Sequence, residues 1–202
     1  MGHVIRWLAL GLVVLLGAAP LAAAESKRSF IVGFPPYTLG ADQKTVLGSA
    51  KLTPGSRIVF SDKVPTTRFS TNTSVFLGGS GYRAELSVEF WNGRLAVVVL
   101  HWPQSAFPSV GEWRGRSTDL YFQLINTYES SLIKSDSVQS IPHRGEYSAP
   151  TLRFAGTITL MDSTGSQLIM RSDDSQTTLT LVYVWGRYKL ALDRVPQPTT
   201  RF

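Results

Sequence analysis

The chain has 202 residues, 43% of them hydrophobic, with a formal net charge of +6 and no cysteine. Such a length supports one domain with a packed core, while the missing thiols exclude disulfides, thiolate metal sites and cysteine nucleophiles. The positive charges are dispersed rather than gathered into a basic arm, so no nucleic-acid partner is expected.

Residues 1–24 carry the pattern of a cleaved signal peptide. Arg6 gives a basic start, Trp7 to Leu16 an apolar run, Pro20 a break, and Ala22-Ala23-Ala24 a small-residue cleavage site. The run is interrupted by Gly11, Gly17 and Pro20 and falls short of the ~20 apolar residues that a membrane span needs. No membrane span is therefore expected after removal of the leader. The absence of cysteine removes a lipid-anchored form as well. The expected location is periplasmic or extracellular, with a bacterial envelope the natural setting for an exported chain without disulfides. The expected organisation is a single α+β domain over 25–195 followed by a flexible tail at 196–202.

Within that domain, 25–81 is the less regular part. Phe30 to Phe34 can form a short strand stopped by Pro35-Pro36, and Asp42 can cap a short helix over about Gln43 to Ala50. Pro54-Gly55 marks a turn, Arg57 to Phe60 a strand, and Arg68 to Leu77 a Ser/Thr-rich strand. Gly78-Gly79-Ser80-Gly81 then forms a flexible connector.

The hairpin, helix and strand core spans 82–195. Its strongest signal is Tyr82 to Pro103, two β-rich runs joined by Asn92-Gly93, residues that tolerate the positive φ of a two-residue hairpin turn. An unbroken register pairs Trp91 with Arg94, Phe90 with Leu95 and Val88 with Val97, and leaves Ala84 opposite His101 at the far end. The first strand then shows Arg83, Glu85, Ser87 and Glu89 to water as a half-exposed or edge strand. The second shows Ala96, Val98, Leu100 and Trp102, and its continuous apolar run places it deeper in the sheet.

Residues 103–116 are expected to be a polar and aromatic loop. Ser117 or Thr118 caps a helix to about Leu132, whose Leu120, Leu124, Tyr128 and Leu132 recur at helical spacing. A second irregular loop covers 133–150. Strands follow at Thr151 to Met161, with Leu152, Phe154, Ile158 and Leu160 inward, and at Gln167 to Arg171. The last element is read as a hairpin over 177–195 turning at Gly186-Arg187. The order strands, helix, strands predicts α+β, mainly antiparallel, with one principal amphipathic helix at about 117–132 packed on one face.

Catalytic material is sparse. The signal peptide removes His3, leaving His101 and His143, and no metal site is predicted. His101 is expected to be a hydrogen-bonded imidazole at the edge of the core, and His143 a solvated loop residue. Asp162 and the pair Asp173-Asp174 sit in turns and lack the calcium-loop pattern. Glu85 and Glu89 are separated by four residues of one strand, ~13 Å, too far for a glycosidase pair that needs ~5–9.5 Å. Gly78 to Tyr82 has Tyr where a nucleophile elbow needs Gly, and Ser131 to Lys134 lacks the companion motifs of acyl-transfer enzymes. Accordingly, no catalytic residue or cofactor is predicted.

The remaining signal is the aromatic and basic set in and beside loop 103–116: Arg83, Trp102, Phe107, Trp113, Arg114 and Arg116. Trp and Arg are the residue types enriched at interface hot spots. The sequence thus predicts an exported, non-enzymatic cell-envelope binding or accessory protein that contacts a protein or an envelope glycan through these residues. A small-ligand or lipid carrier and a small carboxylate-dependent hydrolase are the alternatives.

Overall fold

A computed structural model describes residues 27–56, 58–77, 79–136, 156–173 and 177–195. The expected signal peptide, most of the expected loop 133–150 with His143, the expected inward positions Leu152 and Phe154, Gly78, Asp174 and residues 196–202 lie outside the described residues.

The fold is α+β, with a mainly antiparallel sheet. A two-stranded ribbon, β1 (Gly33–Phe34) and β2 (Tyr37–Thr38), precedes helix α1 (Gln43–Ser49). Among the described residues the main sheet has eight strands. They are β3 (Thr53–Pro54), β4 (Thr67–Leu77), β5 (Ser80–Trp91), β6 (Arg94–Trp102), β7 (Ile133–Asp136), β8 (Gly156–Met161), β9 (Gln167–Asp173) and β10 (Thr178–Val184). Their spatial order is β3-β4-β5-β6-β10-β9-β8-β7. Helix α2 (Val110–Thr127) follows β6, and α3 (Gly186–Arg194) follows β10.

Local chemistry explains most of these boundaries. The Asp42 side chain accepts from Lys44 N at 2.9 Å and starts α1. Asn92 and Gly93 adopt φ of 50° and 70° at the β5–β6 turn, the left-handed conformations that this turn requires. In place of the expected Gly78–Gly81 connector, β4 and β5 pair as a hairpin. Leu77 pairs with Ser80, Gly79 has φ 86°, and Gly81 already belongs to β5. Residues 58–60 are not a strand; they lie over the sheet.

Four further expectations are corrected. First, α2 spans 110–127 rather than 117–132. Ser109 Oγ accepts from Glu112 N at 3.1 Å, an N-terminal Ser-x-x-Glu cap that replaces Ser117 or Thr118 as the start. Trp113, Ser117, Leu120 and Leu124 form its buried stripe, while Tyr128 and Leu132 are buried just beyond its end. Second, the β5–β6 register breaks after Phe90↔Leu95, and the next pair is Glu89↔Val97. Ala96 is the extra residue of a bulge, and its carbonyl accepts from Trp185 N at 2.8 Å. The slip turns Val98, Leu100 and Trp102 toward α2, and places His101 with Val97 and Val99 on the other face. Third, β5 is interior, because β4 pairs along its outer side. Fourth, 186–194 is a helix, since both sides of β10 are already occupied, by β6 and β9. Gly186 owes its place to close packing: a Cβ there would stand 2.1 Å from Thr164 O. Tyr188 and Leu192, four apart, then point inward together.

Two apolar layers result. Ala84, Leu86, Val88 and Phe90 of β5, with Leu95, Val98, Leu100 and Trp102 of β6, meet α2 and the N-terminal ribbon. On the reverse face, Ala96, Val97, Val99 and Val184 meet Tyr188 and Leu192 of α3, flanked by Ile58, Phe60 and Val64. Each large apolar side chain buried in these layers contributes about 1.5–3 kcal/mol.

Candidate ligand-binding face

The residues singled out in the sequence do not gather into one patch. Trp102 and Trp113 are 0% exposed and Phe107 is buried, its ring 5.1 Å from that of Tyr82. Trp113, Arg114 and Arg116 stand on α2, so only 103–109 of the expected loop lies outside that helix. Arg114 is half-buried, and its carbonyl accepts from Thr118 Oγ1 at 2.9 Å. Arg116 Nε donates to Glu112 Oε1 at 2.9 Å and to Tyr82 Oη at 3.1 Å, and its Nη1 lies 2.7 Å from Asp119 Oδ2. The hydrogen bond from Tyr82, followed by that from Arg116, holds the Glu112 carboxyl below its ordinary value. This network fastens α2 to β5. Of the six candidates, Arg83 alone reaches the surface described next.

That surface is the end of the reverse sheet face that no helix covers among the described residues. Side chains directly opposite one another across paired strands point to the same side. The pairs Asn72↔Glu85, Glu85↔His101, His101↔Thr180, Thr180↔Arg171 and Arg171↔Thr157 therefore form one continuous polar row over β4, β5, β6, β10, β9 and β8. None of the six is buried, and Asn72 and Arg171 are exposed. Five interstrand spacings of about 4.8 Å make the row ~24 Å long. One step nearer α3 the row becomes Ser70, Ser87, Val99, Val182, Ile169 and Thr159, and there the covered region begins.

Glu85 is the pivot of this face. It lines a hollow of about 390 Å³ with Asn72, Arg83, Pro103 and Ser105. It also lines a second hollow, of about 250 Å³, with Thr53, Ser70, Thr71 and Ser87. Beside it, His101 Nδ1 lies 3.0 Å from Thr180 Oγ1. Burial holds the His101 imidazole below its ordinary value, while the Glu85 carboxylate pulls in the opposite direction. The expected hydrogen-bonded imidazole thus exists, but on the open face. Beyond Asn72 and Ser74 on the same side of β4, Phe76 is 39% exposed, and a Cβ on Gly81 would stand 3.7 Å from its ring.

Glu89, which the sequence places in water beside Glu85, is fully buried. Its carboxylate accepts from Phe60 N at 2.7 Å and from Thr66 Oγ1 at 2.8 Å, with Arg68 Nε at 3.6 Å. It stitches the 58–66 segment onto the sheet and is committed to that task. Among the described residues no three His, Asp or Glu side chains cluster as metal ligands, and no helix is long and apolar enough to cross a membrane.

The sequence signals for this face were present but partial. Arg68, Ser70, Asn72 and Ser74 alternate with Phe69, Val75 and Leu77, which gives β4 a polar side. Nothing local marks Thr180, Arg171 and Thr157 as its continuation, because the β6–β10 pairing joins residues about eighty positions apart. Comparison of the chain with protein-family models, with curated proteins and with solved structures finds no match in any of the three.

Proposed function

We propose that the protein is an exported, non-enzymatic binding protein of the cell envelope, and that its open sheet face holds an extended envelope glycan. The polar row from Asn72 to Thr157 carries this reading. Amide, carboxylate, imidazole, hydroxyl and guanidinium groups in series supply both donors and acceptors for sugar hydroxyls. Phe76 offers an exposed ring against which a sugar can stack. Export is supported by the leader pattern of residues 1–24.

A glycan is preferred to a protein partner because the large aromatic anchors that dominate protein interfaces are spent on the core here, as Trp102 and Trp113 show. The carrier reading has less support, since Trp113, Leu120 and Leu124 fill the space between α2 and the sheet. The hydrolase reading loses Glu89 to its buried hydrogen bonds. The test is calorimetric titration with a panel of soluble oligosaccharides cut from bacterial envelope polymers. At least one should bind, and Glu85→Gln and Arg171→Ala should each weaken it about tenfold, as befits hydrogen bonds to charged groups. Binding that ignores both substitutions, or no binding across the panel, overturns the proposal.

A further inference from the structure

We infer that the hollow between the N-terminal segment and α3 is a contact site for an anionic lipid surface. Phe30 and Val32 are 54% and 51% exposed, although the residue between them, Ile31, is buried in the core. They are held outward rather than left loose. Ile31 N donates to Asp162 Oδ2 at 2.8 Å, and Leu39 N donates to Val32 O at 2.9 Å. With Trp185 and Arg187 they line a hollow of about 490 Å³. The Arg187 guanidinium lies 5.7 Å from the Trp185 ring centre, at the mouth of an apolar surface. One helical turn further along α3, Leu190 is 52% exposed.

Exposed apolar side chains beside an outward guanidinium match the chemistry of a bilayer interface, where rings and aliphatic groups enter the headgroup region and guanidinium groups meet lipid phosphates. Charge points the same way. Asp162, the carboxylate lining the hollow, is buried and already accepts hydrogen bonds from Ile31, Thr164 and Ser166 amides, leaving Arg187 as the outward charge. The glycan face lies toward the opposite strand ends, so both surfaces can be engaged together.

Flotation with vesicles tests the inference, using wild type and variants recovered with the leader of residues 1–24 removed, so that its apolar run contributes to none of them. Wild type should float with vesicles containing phosphatidylglycerol, more weakly with pure phosphatidylcholine, and less as salt rises. The double variant Phe30→Ser/Val32→Ser and the single variant Arg187→Glu should each lose at least about tenfold in apparent affinity. Circular dichroism should show native folding for both, because the altered side chains are exposed. Equal flotation of wild type and both variants, equal binding to neutral and anionic vesicles, or no flotation of wild type overturns it.

Discussion

The reverse face of the sheet is built in two halves from the same strands. Near α3, Val97, Val99 and Val184 are covered by Tyr188 and Leu192, and the buried carboxylate there, Glu89, has its needs met by Phe60, Thr66 and Arg68. Two to four residues along the same strands, Glu85, His101 and Thr180 carry polar groups under no helix among the described residues. The strand pairing is common to both halves, so pairing does not decide the chemistry. Cover does: a buried polar group must be satisfied at once, whereas an uncovered one can wait for water or a ligand.

The contrast can be broken from its covered side. Leu192→Ala removes a buried side chain that clamps α3 to the sheet and should cost about 2–5 kcal/mol of stability in denaturant unfolding. Glu89→Ala deprives the Phe60 amide and the Thr66 hydroxyl of their acceptor and should cost about 1–3 kcal/mol. It should also speed amide exchange through 58–66 more than elsewhere. Near-zero cost for both would mean that α3 and 58–66 are not the cover.

The open half should respond more weakly. His101 has its imidazole value lowered on folding, so the unfolded chain takes up the proton first. Its contribution is fully present above pH ~6.5, the ordinary histidine value, and is lost as pH falls below it. Wild type should therefore lose more stability than His101→Gln between neutral and mildly acidic pH in parallel urea titrations. Asn72→Ala and Glu85→Gln should change stability least, by no more than about 0.5 kcal/mol, as exposed or half-exposed positions do. A larger loss would move these residues from the ligand face to the scaffold.

How much was legible in the sequence follows the range of the interaction involved. The α+β class, the Asn92-Gly93 turn, the Asp42 cap and the strands around Arg68–Leu77, Ile158–Leu160 and Gln167–Arg171 all depend on neighbours within a few residues. The start of α2 was equally local, in Ser109 and Glu112, yet the longer stripe at Leu120 to Leu132 drew the boundary away from it. At 186–194 the spacing of Tyr188, Leu190 and Leu192 fits a strand, while Tyr188/Leu192 and Lys189/Asp193 fit a helix. The choice was made by β9 and β6 occupying both sides of β10. The bulge at Ala96 depended likewise on Trp185, far along the chain. That single slip exchanged the faces of Trp102 and His101, and with them the aromatic contact site read from the sequence for the polar row.

The account rests on that row, and an NMR titration of isotope-labelled protein with the soluble envelope-glycan panel tests it most directly. The prediction is that amide shifts concentrate at Asn72, Glu85, His101, Thr180 and Arg171 and leave α2 in place. Shifts centred on α2, or none with any member of the panel, would contradict it.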